Sequence, residues 1–417
     1  MNLYSKRREK VLKAMSDNSI AVLFSGKAPM RSEDEAYPFA VNRNFYYLTG
    51  LEKEEMALML QKSGGVTREY LFIMPYDETM ARWVGGRMTA EEARAVSDVE
   101  NVRDYGELDS FTAGLYNRFR GDASFRVYCD LWRYEAEQED SLAMRYVHRL
   151  QDRYPALTVR DLYPILTGLR MIKDDYEITC IRQAINTTRL GVEQMMKTIR
   201  PSLNEMTMDG LFDFVLRQNM CDENAFKTIA ASGKRATILH YSSNNQVMED
   251  GELFLCDLGA TFKHYCADIS RTFPVNGHFT ERQREIYELV LRAQKIVEEN
   301  ARVGVKLRDL DRMVVDFYRE ELPKHGLTKD VREYYFHSVS HHLGLDTHDV
   351  DLERGGALQA GNVITNEPGL YIEEEGIGIR IEDDLLITGT GAEVLSKDII
   401  KDPDQIEGLM NRNQAAA

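Results

Sequence analysis

The second half of the chain repeats itself, and that repeat limits the folds open to it. Met208-Asp209-Gly210-Leu211-Phe212-Asp213-Phe214-Val215 resembles Leu310-Asp311-Arg312-Met313-Val314-Val315-Asp316-Phe317, 102 residues further on. A helical pattern precedes each copy. The second begins at Thr280 with Gln283 three residues later, a capping box. A β-forming run ending in an acid and a glycine turn follows each copy: 251–259 lines up with 361–369, now at an offset of 110. Asp257 then corresponds to Glu367, and Ala267-Asp268-Ile269 to Ile381-Glu382-Asp383. Two half-domains related by a pseudo-twofold axis would each bring two carboxylates to a shared centre.

At 417 residues the chain is too long for one ordinary domain. Its first part alternates short apolar strands, 20–24 and 70–75, with helical stretches. Within 82–96 one charged helix is expected from about Trp83. This is the pattern of a small α/β domain. A long amphipathic helix begins at Asp174, with Ile178, Ile181, Ile185 and Val192 on one face, and Arg200-Pro201 ends it. The boundary is placed just before that helix, giving an α/β domain over 1–168 and an α+β domain over 169–417. The net charge of -16 argues against a nucleic-acid partner. No apolar run approaches the ~20 residues of a membrane span, and the N-terminus lacks the apolar core of a secretory signal. Five scattered cysteines suggest reduced thiols and a cytoplasmic home. Cys256 and Cys266 read as small buried hydrophobes.

Asp257 falls inside a strongly strand-forming run, 253–260. A carboxylate there needs a partner or a metal. A second strand is expected over 265–275, reached by a turn at 261–264, and it carries Asp268. Such a hairpin sets two carboxylates side by side, where they need a cation or a shared proton. Residues 336–349 hold four of the nine histidines, His337, His341, His342 and His348, a cluster that favours metal binding or acid–base work. Taken alone, His342 reads as a structural histidine. Glu367 ends an apolar strand before a Pro-Gly turn. Glu382 follows Ile379 and Ile381, so at least one acid of Glu382-Asp383-Asp384 should point inward. Four carboxylates and one imidazole suit Mn²⁺, Co²⁺, Fe²⁺ or Zn²⁺. Five ligands exceed the three of a single catalytic zinc and fit two ions ~3.5–4 Å apart, bridged by carboxylates and a water.

The set Asp257, Asp268, His341, Glu367 and Glu382 resembles the ligand pattern of the pita-bread metallopeptidases, which include methionine aminopeptidase, prolidase and aminopeptidase P. The closer likeness is to aminopeptidase P. Residues 268–275 are similar to that family's Asp-Ile-Thr-Arg-Thr-Phe-Pro-Val, and 340–349 to its Ser-His-Trp-Leu-Gly-Leu-Asp-Val-His-Asp. Segments 31–38, 44–50, 367–371 and 376–384 match as well, so the resemblance spans nearly the whole chain. It implies an N-terminal α/β domain of aminopeptidase P type followed by a pita-bread catalytic domain with an internal pseudo-twofold repeat. It implies two divalent ions, Mn²⁺ by preference with Co²⁺ or Zn²⁺ as alternatives. The substrates would be peptides with proline at the second position, and the assembly a homodimer or homotetramer.

The resemblance also implies roles. Asp257 would chelate one ion, His341 and Glu367 the other, with Asp268 and Glu382 bridging and a shared hydroxide attacking the carbonyl before proline. Glu367 would pass a proton to the proline nitrogen. His240 would help bind substrate, His348 would contact the reacting carbonyl, and His337 would be a third active-site histidine. Tyr371 and Arg380 would line or back the proline pocket, with Arg380 orienting a bridging carboxylate. Asp34 and Trp83 match positions that reach a neighbour's active site in tetrameric relatives. The chain departs from the family in shorter loops between His348 and Glu367 and between Tyr371 and Gly376, and in His342, which replaces an aromatic residue. Those loops border the substrate entrance. A prolidase restricted to dipeptides shares the same ligands. A non-catalytic binding protein on this fold would be expected to have lost them. A phosphoesterase side activity is compatible with such a site, although His240, His348 and Arg380 suit a peptide better.

Overall fold

The computed structural model describes residues 2–119, 125–221, 223–352 and 356–414. The chain divides into two compact units, Met1–Leu169 and Arg170–Ala417.

The first unit is built on a six-stranded mixed sheet. Its strands are β1 (Ser19–Phe24), β2 (Ala57–Ser63), β3 (Val66–Ile73), β4 (Asn101–Asp104), β5 (Arg126–Cys129) and β6 (Thr158–Asp161), in the order β4-β3-β2-β1-β5-β6. β1 is apolar from Ile20 to Phe24 and buried throughout, as a central strand covered on both faces must be. One charged helix was expected over 82–96, but there are two, Glu78–Val84 and Ala90–Ser97. Gly85 at φ +86° ends the first, and a Thr89/Glu92 capping box starts the second.

The second unit contains the repeat. The helix Asp175–Thr198 opens on an Asp174/Glu177 capping box and buries Ile181, Ile185 and Val192, while Ile178 is half-buried. The two matching sequence copies are both helical, Glu205–Gln218 and Leu307–Glu321. Each is followed by a three-stranded sheet. The first is β7 (Ile229–Ser232), β8 (Leu253–Leu258) and β11 (Ile269–Pro274), ordered β11-β8-β7. A small hairpin of β9 (Thr261–Phe262) and β10 (Tyr265–Cys266) lies between β8 and β11. The second sheet is β12 (Val363–Asn366), β15 (Asp383–Ile387) and β16 (Ala392–Val394), ordered β12-β15-β16. The β13 (Gly369–Ile372) and β14 (Ile377–Arg380) hairpin is inserted between β12 and β15.

The repeat extends one strand further than the sequence shows. Residues 339–343 run beside β12 as β7 runs beside β8: Thr365 N donates to His341 O at 2.9 Å, Glu367 N to Val339 O at 3.0 Å, and His342 pairs with Ile364. The pair Ser232–Phe254 in the first half therefore corresponds to His342–Ile364, both partners shifted by 110. His341 occupies the place of Ala231.

The continuous strand expected over 265–275 is interrupted. Asp268 sits in the gap between β10 and β11, because Cys266 N bonds Gly344 O (2.8 Å) and Ala267 N bonds Ala260 O (3.0 Å) instead of extending one ladder. Gly259 makes this crossing possible, since a Cβ there would lie 1.8 Å from the Ala267 carbonyl oxygen. The direct partner of Asp257 is Ser270, and Asp268 lies diagonally on the same face.

Candidate metal centre

The four acids and one imidazole expected as ligands line one cavity of about 690 Å³, together with His240, His337, His348 and Arg380. Asp257 comes from the end of β8, Asp268 from the break before β11, Glu367 from the end of β12, and Glu382 from the turn between β14 and β15. All three acids of Glu382-Asp383-Asp384 are buried, at most 2% exposed, where at least one was expected inward.

The electrostatics are those of a cluster short of positive charge. Burial first, then repulsion by Asp257, Asp384 and Glu367, drives the Asp268 carboxyl well above its usual range. Glu382 is pushed up by burial and then by Asp268, Glu367 and Asp257. Glu367 is raised mainly by burial. Donor atoms of Asp268, His341 and Glu382 lie within 4.8 Å of one another. His341 Nδ1 is 3.1 Å from the His342 carbonyl oxygen, which can only accept, so Nδ1 carries the proton and Nε2 a lone pair. That lone pair faces Asp268 Oδ2 and Glu367 Oε1, each 3.4 Å away. Asp257 Oδ1 is buried with no hydrogen-bond partner among the described residues. Lone pairs facing lone pairs and an orphaned carboxylate oxygen are what a divalent ion resolves, and the oxygen-rich donor set suits one.

Behind these groups, Arg380 is fully engaged. Its Nη2 donates to Asp257 Oδ2 at 2.6 Å, its Nε to Ser270 Oγ at 2.7 Å and its Nη1 to Tyr371 Oη at 2.8 Å. Ser270 Oγ in turn donates to Glu382 Oε2 at 2.8 Å. Arg380 was expected to orient a bridging carboxylate. It grips Asp257 directly and reaches Glu382 through Ser270, because β14 delivers its guanidinium to the Asp257–Ser270 pair. Tyr371 is buried behind the cavity and donates to His337 Nε2 at 2.9 Å, while His337 Nδ1–H points at Ser338 O at 2.8 Å. Burial, reinforced by Arg380, lowers His337 to about 3. His348 is lowered to about 4 by burial and then by His341 and His240. Its ring meets that of His341 edge-on at 4.3 Å. His342 is buried, away from the cavity lining. Asp34 and Trp83 belong to the first unit and are both exposed.

Three contributors were missed from the sequence: Ser270, Thr365, whose hydroxyl donates to Glu367 Oε1 at 3.2 Å, and Asp384, which accepts from Asp268 N at 3.3 Å. Ser270 shares a strand face with Asp268 by simple alternation, which is the one signal that could have flagged it.

The pattern of metallopeptidase family M24 matches residues 179–389, enclosing every candidate ligand above. The chain belongs to metallopeptidase family M24. A second pattern, the aminopeptidase P N-terminal domain, matches residues 4–121. The Xaa-Pro aminopeptidase of Escherichia coli is 33% identical over 430 residues, covering 98% of this chain and 97% of the relative. That of Haemophilus influenzae is 33% identical over 429 residues, with the same coverage. Among solved structures, Escherichia coli aminopeptidase P with the inhibitor Pro-Leu superposes at a TM-score of 0.90 and 32% identity, covering 99% of this chain and 98% of that one. A provisionally assigned aminopeptidase P from Bacillus anthracis gives 0.94 at 41% identity, with the same coverage. The M24 unit is thus a pita-bread domain, and an aminopeptidase P-type α/β domain precedes it in the chain.

Proposed function

We propose that this M24 protein is a dinuclear metal-dependent Xaa-Pro aminopeptidase with domains at 1–168 and 169–417. The observation that carries the reading is the convergence of four carboxylates and the His341 Nε2 lone pair on one cavity. Full-length relatives that are Xaa-Pro aminopeptidases support it. Asp257 would hold one ion and His341 and Glu367 the other, with Asp268 and Glu382 spanning both. When bound, two divalent ions, Mn²⁺ by preference with Co²⁺ or Zn²⁺ as alternatives, would activate a water as nucleophile near neutral pH.

The chain's own residues account for the rest. An Xaa–Pro bond is a tertiary amide with no N–H, so recognition must use the carbonyl, the ring and the free amine. The amine sits beside Asp257. His348, kept neutral by its depressed pKa, offers an N–H to the carbonyl oxygen as charge develops, a role worth about 3–4 kcal/mol for a single donor. His240 contacts the peptide from across the cavity, and the Tyr371–His337 pair backs the proline ring. Glu367 passes a proton to the proline nitrogen as the bond breaks. Arg380 keeps Asp257 in place throughout. Five free, buried cysteines favour a reducing compartment, the cytoplasm. Exposed Asp34 and Trp83 are candidates to meet a neighbouring subunit in a homodimer or homotetramer.

The test is a comparison of Gly-Pro with a longer Gly-Pro-Xaa peptide in the presence of Mn²⁺. Release of glycine from the longer peptide is expected. Turnover of the dipeptide alone would make the protein a prolidase instead.

A further inference from the structure

His240 is exposed at the cavity, and its ring has no hydrogen bond among the described residues. Its position is therefore set by the backbone that carries it, the connection between β7 and β8. That connection is tied to a different element. Glu205, at the start of the helix Glu205–Gln218, is 0% exposed, and every group around its carboxylate is a donor. Ser232 N (2.9 Å), Ser232 Oγ (2.7 Å) and Arg235 Nε (3.1 Å) bond Oε1. Tyr241 Oη (2.8 Å) and Gln246 N (3.0 Å) bond Oε2. The contacts run from the end of β7 at Ser232 through Arg235 and Tyr241 to Gln246, and one of them is on the residue next to His240.

The helix does not need this carboxylate as its cap, because Asn204 already accepts from Met206 N. Leu239 and Tyr241 also pack against the apolar group of Ile229, Ala231, Ala236, Leu255 and Tyr371, so His240 has a seated neighbour on each side. Asn244 pins the returning backbone independently: its Oδ1 accepts from Ala230 N at 3.0 Å, and its Nδ2 donates to Thr228 O at 2.8 Å. Burying a carboxylate is costly unless it is fully bonded, and here the bonding is distributed along one loop.

We infer that Glu205, acting through Tyr241, is a positioning residue that holds His240 at the substrate. The inference rests on the reading of His240 as a substrate contact. Tyr241→Phe removes the hydroxyl that bonds Glu205, with its longer 3.5 Å contact to Asn245 Oδ1, and keeps the ring in its apolar seat, so the fold should survive it. Its effect on kcat/KM for an Xaa-Pro-Xaa peptide is measured in the wild-type and His240→Ala backgrounds, with thermal unfolding of each variant as a control. In the wild type a loss of about 2- to 10-fold is expected, carried by KM. In the His240→Ala background no further loss is expected, because the group being positioned is gone. Glu205→Gln should show the same dependence on background with a larger loss. An equal loss in both backgrounds, or no loss in the wild type while His240→Ala is impaired, overturns the inference and leaves the peptidase reading intact. An unimpaired His240→Ala enzyme would instead remove His240 from the site, and the inference with it.

Discussion

Asp257 shows what the centre demands at the scale of a residue: one oxygen is gripped by Arg380 and the other is buried without a partner among the described residues. Arg380 is raised well above its ordinary value despite burial, by Tyr371, Asp257, Glu382 and Glu367, so it is a permanent cation. A lysine cannot reproduce three bonds in fixed directions. Arg380→Lys is expected to lower metal affinity or activity about 10- to 100-fold, as loss of a ligand-orienting group typically does. Titration of metal-stripped protein measures this, and unchanged affinity would remove Arg380 from that role. The acids themselves were legible in the sequence because charge inside an apolar strand is anomalous. Ser270 and Thr365 were not, because a hydroxyl in a strand is ordinary until a tertiary contact gives it work.

At the scale of elements, the centre depends on the crossing between the end of β8 and the segment before β11. Gly259 leaves room there for the Ala267 carbonyl, and no side chain fits without moving backbone. Gly259→Ala is expected to cost about 1–3 kcal/mol in denaturant unfolding. It should also weaken metal binding, because Asp257 and Asp268 flank the crossing. Wild-type behaviour in both measurements would mean that the crossing is slack. The long helices were readable from caps and periodicity. The interruption at Asp268 was not, since Cys266-Ala267 continues an apolar strand pattern and only the tertiary bonds to Gly344 and Ala260 break it. The split at Gly85-Gly86 was missed, although paired glycines are a signal that ends helices.

Within the M24 unit as a whole, distant segments are joined by a buried ion cluster. Arg170 Nη2 meets Asp349 Oδ1 at 2.6 Å and Lys173 Nζ meets Asp349 Oδ2 at 3.0 Å, with all three side chains at most 3% exposed. No sequence pattern links residues about 175 apart, so this cluster was invisible beforehand, whereas the repeat made the paired half-domains legible. Burial would raise the Asp349 carboxyl, but Lys173 and Arg170 outweigh it and hold it at about 2. A depressed carboxyl contributes stability that is present above its unfolded value near 3.8 and lost as pH falls through 2. A loss of about 2 kcal/mol is expected across that window. Asp349→Asn should cost about 3–5 kcal/mol at neutral pH by leaving the buried Lys173 ammonium without its ion pair, while Arg170 falls back on Asp346, and should flatten the acid limb. Urea unfolding against pH checks both, and an unaltered acid limb in the variant would exclude Asp349 as its source.

Two ions held by five side chains is the central claim. It is tested most directly by stripping the protein of metal, adding Mn²⁺ in measured equivalents and following release of alanine from Ala-Pro-Ala. Negligible activity without metal and a plateau near two equivalents per chain are expected, with Ala-Ala-Pro left uncut between its alanines. Full activity in the stripped protein, or a plateau at one equivalent, would contradict a dinuclear centre.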